Sequence, residues 1–540
     1  MPRQSKYLMK WDGINLLSRW SFFNYVLTLI ILLPIVLVIN HALGSDTQTL
    51  IHLKETVLSE YISSTLILVF AVGFFTLILG VGTAYLTTFY QFKFVGFFVF
   101  ALALPFAIPT YIMGYIYSDI FGYFNHFHIF LRSMGIKEYF NVLNIYSVIL
   151  IMGLALYPYV YLIVKASFEK SKSALLNPAL SLGSSRKKVF FKIILPLSRP
   201  AIAGSLALVM METISEYGIT EYYNIKTLTP AIFNTWFGLH DSKSATYLAV
   251  IAMVMVLAVL GFEKYNRGKA SYKIENSNAE VKKQSLKGYK LYLTYFFLSL
   301  PVIFGFIIPL IWIMVYSFEY ANKLLDDKFL TILSNSFTAS SLTAFIIMVL
   351  ALFVGYTSRI YPTTVNRYLS KVVSLGFTMP GAVIAIGIIM LFTDMDKWLI
   401  ENYFTTTLFF SGSFFALLFA YIVRFFAIGV NTVDSSFERI SIDLNKASRS
   451  LGYNYFKTLF KVELPLMKNA LLFGFTLVFM ATIKELPLTL VLRPFNYETL
   501  ATKAYVLANA QMLHETAIYA LGIIVISLIP LTIIIIKRHV

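Results

Sequence analysis

Long apolar runs alternate with short polar segments along the whole chain. A helix that crosses a hydrocarbon core of about 30 Å needs about 20 apolar residues. Twelve such runs can be drawn, near 22–43, 62–89, 94–118, 145–165, 201–217 and 245–263, and again near 290–316, 337–360, 371–393, 408–430, 470–492 and 516–536. They are continuous stretches, not ten-residue segments of alternating polarity, so they favour membrane-spanning helices over a barrel. Charged residues interrupt the fifth and eleventh runs. The expected fold is an all-α integral membrane protein of about twelve transmembrane helices.

Composition agrees. Of 540 residues, 58% are hydrophobic and only 13% charged, about half the charged share of a soluble domain. The mean hydropathy is +0.73. The absence of cysteine excludes disulfides, thiolate metal sites and cysteine nucleophiles. The basic, polar start MPRQSKYLMKWDG has no small-residue cleavage site behind the first run, which is read as a retained span.

A net charge of +17 could indicate nucleic acid, but the basic residues fall in alternate loops. Arg3, Lys6, Lys10 and Arg19 precede the first span. Lys170, Lys172, Arg186, Lys187, Lys188, Lys192 and Arg199 lie between the fourth and fifth, Lys264 to Lys287 follow the sixth, and Lys537 and Arg538 end the chain. Positive charge marks the cytoplasmic side, so both termini are expected there, with membrane lipid and not nucleic acid as the surrounding partner.

The two halves match. SLGSSRKKVFFKIILPLSRP (181–200) aligns with SLGYNYFKTLFKVELPLMKN (450–469), pairing Gly183 with Gly452 and Pro196 with Pro465, and the same register pairs Glu216 with Glu485 and Thr220 with Thr489. Six spans per copy is an even number, so the repeats are parallel, related by an axis along the membrane normal. The expected organisation is a half at 1–263, a basic cytoplasmic linker at 264–289 and a second half at 290–540.

The repeated loop between spans four and five carries the clearest functional signal. Each copy has a short helix, a glycine, and a second helix with an N-cap at Ser185 or Asn454. Leu195-Pro196 and Leu464-Pro465 are expected to end that second helix, since proline cannot continue it without losing a hydrogen bond. Phe190 and Phe191 match Leu459 and Phe460 on its apolar face. One such loop would be read as an amphipathic helix on the lipid interface. Two in register favour docking elements for two copies of one partner, or two similar ones.

These loops resemble the coupling-loop signature of ABC importer permeases: Glu-Ala-Ala, three residues, Gly, then Leu-Pro. Here it reads Asn177-Pro178-Ala179 before Gly183 and Lys446-Ala447-Ser448 before Gly452, without the leading Glu. Asn177-Pro178 is expected to delay or break the first helix in half one. The segments 216–241 and 484–505 are similar to those of fused two-half permeases of ferric-iron import systems. The resemblance implies a type I importer fold in the bacterial inner membrane, no cofactor, two copies of a cytoplasmic ATP-binding subunit, and an extracytoplasmic iron-binding protein. Fused thiamine and phosphonate-type permeases have a similar layout. The chain has no Gly-x-x-x-x-Gly-Lys-Ser/Thr segment and no nucleophile–base constellation, so it is read as a transport subunit and not an enzyme.

Ionisable groups inside spans are costly and mark pathways. Glu212, Glu216, Lys484 and Glu485 fall in or at the outer ends of spans five and eleven. Glu216 and Glu485, with Tyr217, Tyr222 and Tyr223 at the outer mouth, are the candidate path residues. The alternative is that Lys484 simply neutralises Glu485. His126 and His128 form a weak metal candidate, there being no acidic cluster beside them. A secondary transporter of the major-facilitator type shares the span count and the basic linker, but would carry its matched loops between spans two and three.

Overall fold

The computed structural model describes residues 19–44, 47–136, 140–267, 284–366, 369, 376, 379–403 and 407–539. Arg3, Lys6 and Lys10, the linker core 268–283, and 371–375 with 377–378 of the expected ninth span lie outside the described residues, as do the side chains of His126, Asn177, Lys537 and Arg538.

Among the described residues nine helices are long and apolar enough to cross a membrane, and eleven if two bent pairs each count as one span. They match eleven of the twelve expected runs. The ninth appears as Gly381–Tyr403, whose outer half carries Asp394, Asp396, Lys397 and Glu401. Outward-facing residues such as Phe70, Phe74 and Phe345 are 60% exposed or more, as a surface solvated by lipid tails allows.

Several boundaries differ from the hydropathy reading. The tenth span is Phe414–Phe437, displaced towards the loop. The fourth runs unbroken from Ile145 to Ser181 through Asn177-Pro178, where a break was expected. A proline removes one hydrogen bond, and Leu182 N still reaches Pro178 O at 3.1 Å to close the last turn. The third span is bent by 91° between Val95–Ala107 and Thr110–Ile120, with Pro109 at the corner. Gly381–Tyr403 likewise begins directly after a proline, Pro380.

Among the described residues the two largest apolar clusters each draw on both halves. In the first, residues of spans two to four (Leu68, Ile112, Val160) pack with Leu298, Ile313 and Ile523 of half two. In the second, Ile347, Val383 and Phe426 pack with Ile31, Val38 and Leu248 of half one. Each half therefore sends its first and last spans into the other's core. At the loop end, Tyr90–Gln91 pairs in parallel with Gln284–Ser285, which ties the end of the linker to half one. At the opposite end, Asp241 accepts from Lys243 N and Ser244 N and from the Thr47 hydroxyl. Burial alone would raise its pKa, but the hydrogen bonds from Ser244, Thr47 and Thr49 prevail and hold it at about 2.

This exchange makes the halves mutually dependent. Either half expressed alone should be depleted from the membrane, and co-expression of 1–267 with 284–540 should restore both. Normal accumulation of one half alone, measured by quantitative immunoblot, would contradict the shared cores.

Candidate functional site

The two loops share one turn geometry. Gly183 has φ +81° and Gly452 +89°. Ser184 N bonds to Ala179 O (3.1 Å) and Gly183 N to Leu180 O (2.9 Å). In half two, Tyr453 N bonds to Ser448 O (3.3 Å) and Gly452 N to Arg449 O (2.9 Å). This is a Schellman turn, in which the left-handed residue lets the last carbonyls of a helix be satisfied. A Cβ at either glycine meets no atom within 4 Å, so the requirement is for backbone conformation, not space. Ser185 and Asn454 then cap the second helix, accepting from Lys188 N (3.4 Å) and Lys457 N (2.8 Å).

The Leu-Pro pairs do not end that helix. Phe190–Ile194 and Leu459–Glu463 form π turns, in which Leu195 N reaches Phe190 O and Leu464 N reaches Leu459 O. The wider turn makes room for the proline ring, and the helix continues. In half one a 59° bend follows, after Leu197; in half two Tyr455–Ile483 is one span.

The loops are anchored differently. In half one Phe190 packs among Tyr85, Phe89 and Phe168. In half two Glu463, fully buried, pairs with Arg359 Nε (3.2 Å) and accepts from Asn445 Nδ2 (3.2 Å), while Arg359 also donates to Phe437 O and Ile440 O. Neither Arg359 nor Glu463 stood out in the sequence, because residues 104 positions apart give no pairing signal. Leu459 is buried; Phe191 (63% exposed) and Phe460 (42%) face outward. Leu182 and Leu451, one residue before the glycines, are 86% and 82% exposed. The repeated Ser-Leu-Gly was the sequence signal for them. Lys446 is exposed and pairs with Asp443, and Ala447 O accepts from Leu451 N.

The second feature is a cavity of about 420 Å³ between the halves. It lies where spans five and eleven both break. Arg199–Ser215 ends before Glu216, and Leu464–Ile483 ends before Lys484, inside the run expected to continue to 492. Each break is closed by its glutamate. Glu216 Oε1 accepts from Ile219 N (3.2 Å), and the Thr220 hydroxyl donates to Glu216 O (3.0 Å). Glu485 Oε1 accepts from Leu488 N (3.1 Å), and the Thr489 hydroxyl donates to Glu485 O (2.8 Å). The carboxylates thus cap the short helices Gly218–Tyr222 and Pro487–Leu492, and both line the cavity with Glu212, Tyr217, Arg424 and Lys484. The partner of Glu485 is Arg424, at 3.4 Å, and not Lys484, which donates to Phe106 O. Arg424, a lone arginine in the tenth apolar run, is the main residue the sequence reading missed.

A wider cavity, about 790 Å³, opens at the end opposite the loops and is lined by Asp119, Glu221, Tyr222, Tyr505 and Glu515 among others. Tyr217 reaches Tyr505 at 3.1 Å. Tyr223 lines neither cavity; it is 2% exposed and donates to Gly114 O. His128 is no metal ligand either: its Nδ1 lies 3.2 Å from Gly122 O and its Nε2 accepts from Phe140 N. Among the described residues no three His, Cys, Asp or Glu side chains are grouped to hold a metal.

The family model for the binding-protein-dependent transport system inner membrane component matches residues 76–262 and 347–540, one copy in each half. The chain belongs to this family. It is 27% identical over 483 residues to the Fe(3+)-transport system permease protein FbpB 2 of Haemophilus influenzae, covering 88% of this chain and 89% of that protein. It is 21% identical to the ferric transport system permease protein FbpB of Actinobacillus pleuropneumoniae, over 76% of this chain and 61% of that protein. The molybdate/tungstate transport system permease protein WtpB of Methanocaldococcus jannaschii is 28% identical over 46% of the chain and 97% of its own length. The family makes the chain a multi-pass transport subunit of the inner membrane, with a solute-binding protein and an ATPase as its general partners.

Two predictions follow from the loops. Gly452→Asn should keep transport, because asparagine tolerates the left-handed region, whereas Gly452→Val should lose about 1–2 kcal/mol locally and uncouple transport; equal activity of the two variants would remove the turn from the mechanism. Glu463→Ala should lower stability by about 3–5 kcal/mol, because it strands Arg359, while Arg359→Met with Glu463→Leu should recover most of it. Thermal unfolding reads both, and a silent Glu463→Ala would show that the pair anchors nothing.

Proposed function

We propose that the chain is the permease of an ATP-driven ABC importer for ferric iron, receiving it from an extracytoplasmic binding protein. Two copies of a separate cytoplasmic ATP-binding subunit dock on the two loops. The halves are 1–263 and 290–540, the linker 264–289 is cytoplasmic, and so are both termini.

The observation that carries this reading is the pair of loops: one turn geometry, repeated, each presenting a leucine more than 80% exposed at its tip. Two equivalent knobs suit two copies of a partner with apolar sockets. Asn177, Pro178, Ala179, Lys446, Ala447 and Ser448 form the helix before each knob, and Phe191 and Phe460 flank it. Closure of the ATPase pair would move each loop as a rigid body, and span eleven, continuous with its loop helix, would carry that motion to the break at Lys484.

Iron is supported by the two FbpB relatives, which align across both halves. It is also supported by carboxylates at the break of each spanning segment, since a hard, highly charged cation prefers oxygen donors. A second reading, import of an oxyanion, is favoured by Arg424 and Lys484 in the same cavity and by the molybdate/tungstate relative.

Leu182→Asp with Leu451→Asp should abolish co-purification of the ATPase and lower iron uptake at least about tenfold, at unchanged permease abundance, because each buried leucine is worth about 1.5–3 kcal/mol. Retained co-purification would defeat the docking role. Uptake of labelled sulfate or molybdate, and not of iron, by the wild-type system would select the oxyanion reading.

A further inference from the structure

The two cavities end on either side of one narrow septum. The central cavity reaches, on the loop side, Asn431, an exposed residue near the end of the tenth span. In the opposite direction its lining stops at Tyr217, Gly218 and Leu486, of which Leu486 is 1% exposed. The wider cavity starts beyond them, at Ser118, Tyr222 and Tyr505, and no described residue lines both. One hydrogen bond crosses the septum: the Tyr217 hydroxyl, on the central side, meets the Tyr505 hydroxyl, on the other, at 3.1 Å. The central cavity is thus shut towards the outer mouth and continues towards the loops.

The septum is built from the first residues after the two glutamate caps. The repeat register pairs Tyr217 with Leu486 and Gly218 with Pro487. These positions meet without being alike. Leu486 of half two lies on the bare backbone of Gly218: a Cβ there would stand 2.8 Å from Leu486 Cδ2 and 2.6 Å from Tyr111 Cβ. That close approach accounts for the glycine, since Gly218 has no positive φ. Tyr217 packs on Phe233 of its own half, with 4.5 Å between ring centres, and bonds to Tyr505 of the other half. Tyr111 of half one adds a third crossing, donating to Lys484 O at 3.4 Å. All three contacts join one half to the other. Two of them end on Lys484 and Leu486, at the break of span eleven, which is continuous with its loop helix. A shift of that span would draw Leu486 off Gly218.

We propose that Leu486 seated on Gly218, with the Tyr217–Tyr505 hydrogen bond, is the outer gate of the central cavity. It keeps the outer entrance shut while the cavity faces the loops, and parting of the halves at these two contacts opens it. Neither contact carries charge, so parting them strands no buried ion. The gate serves a cation or an oxyanion alike, and it rests on the reading of the central cavity as the transport path.

The test uses the full chain with its ATPase in membrane vesicles. Ala481→Cys supplies the only thiol of the chain, in the wall of the central cavity, and a membrane-impermeant maleimide is applied from one face at a time. Without ATP the thiol should react from the loop face and stay shielded from the outer face. Leu486→Ala with Tyr505→Phe should raise the outer-face rate at least about tenfold, and Tyr505→Phe alone, which removes one hydroxyl, should raise it several-fold. The single change decides the matter if the double variant does not accumulate. Tyr115→Phe is the control: its hydroxyl is buried and has no hydrogen-bond partner among the described residues, so its loss should leave the rate unchanged. Outer-face rates that do not rise in Tyr505→Phe or the double variant, or that rise as much in Tyr115→Phe, overturn the gate alone. A thiol that reacts from neither face, with or without ATP, overturns the path reading and the gate with it.

Discussion

A helix that stops inside a bundle surrounded by lipid leaves backbone groups that water cannot reach, and each must find a partner in the protein. Spans five and eleven both stop this way. Glu216 and Glu485 supply the acceptors, and Thr220 and Thr489 return a hydroxyl to the glutamate carbonyls. The two short helices these caps start can then turn aside, and a cavity remains between the halves. The residues that permit the break are thus the ones that put carboxylates at its edge.

Around that constraint the twofold plan is followed closely in the backbone. Thr227 and Thr499 occupy the N-caps of the next helices, and the first amide of each bonds across to a hydroxyl of span two or eight: Leu228 N to Thr65 and Leu500 N to Ser336. The side chains depart from the plan at the loops. The loop of half one is anchored by packed rings and that of half two by a buried ion pair. The bend that follows Leu197 has no counterpart in half two, which adds to the difference.

Much of this was legible in the sequence, for physical reasons. Crossing a membrane forces long apolar runs, so the spans could be counted. A left-handed turn forces glycine, so Gly183 and Gly452 marked the loops, and register then paired Glu216 with Glu485. What stayed hidden depends on residues distant in the chain. Arg424 meets Glu485, and Arg359 meets Glu463, only through the fold. The exchange of first and last spans leaves no trace in hydropathy, because a span is equally apolar against either core. The Leu-Pro pairs misled because a π turn, which no residue pattern announced, lets the proline stay in the helix. Tyr223 misled because burial of one tyrosine among three neighbours depends on which way a five-residue helix faces.

The central claim is that the cavity at the two breaks is the translocation path, opened to one side and then the other. The chain has no cysteine of its own, so a single thiol can report on it. Ala481→Cys places that thiol in the cavity wall. Reaction with a membrane-impermeant maleimide should occur from one face in the resting complex and from the opposite face when the ATPase is trapped with ATP. A thiol that reacts from neither face in either state would contradict the account.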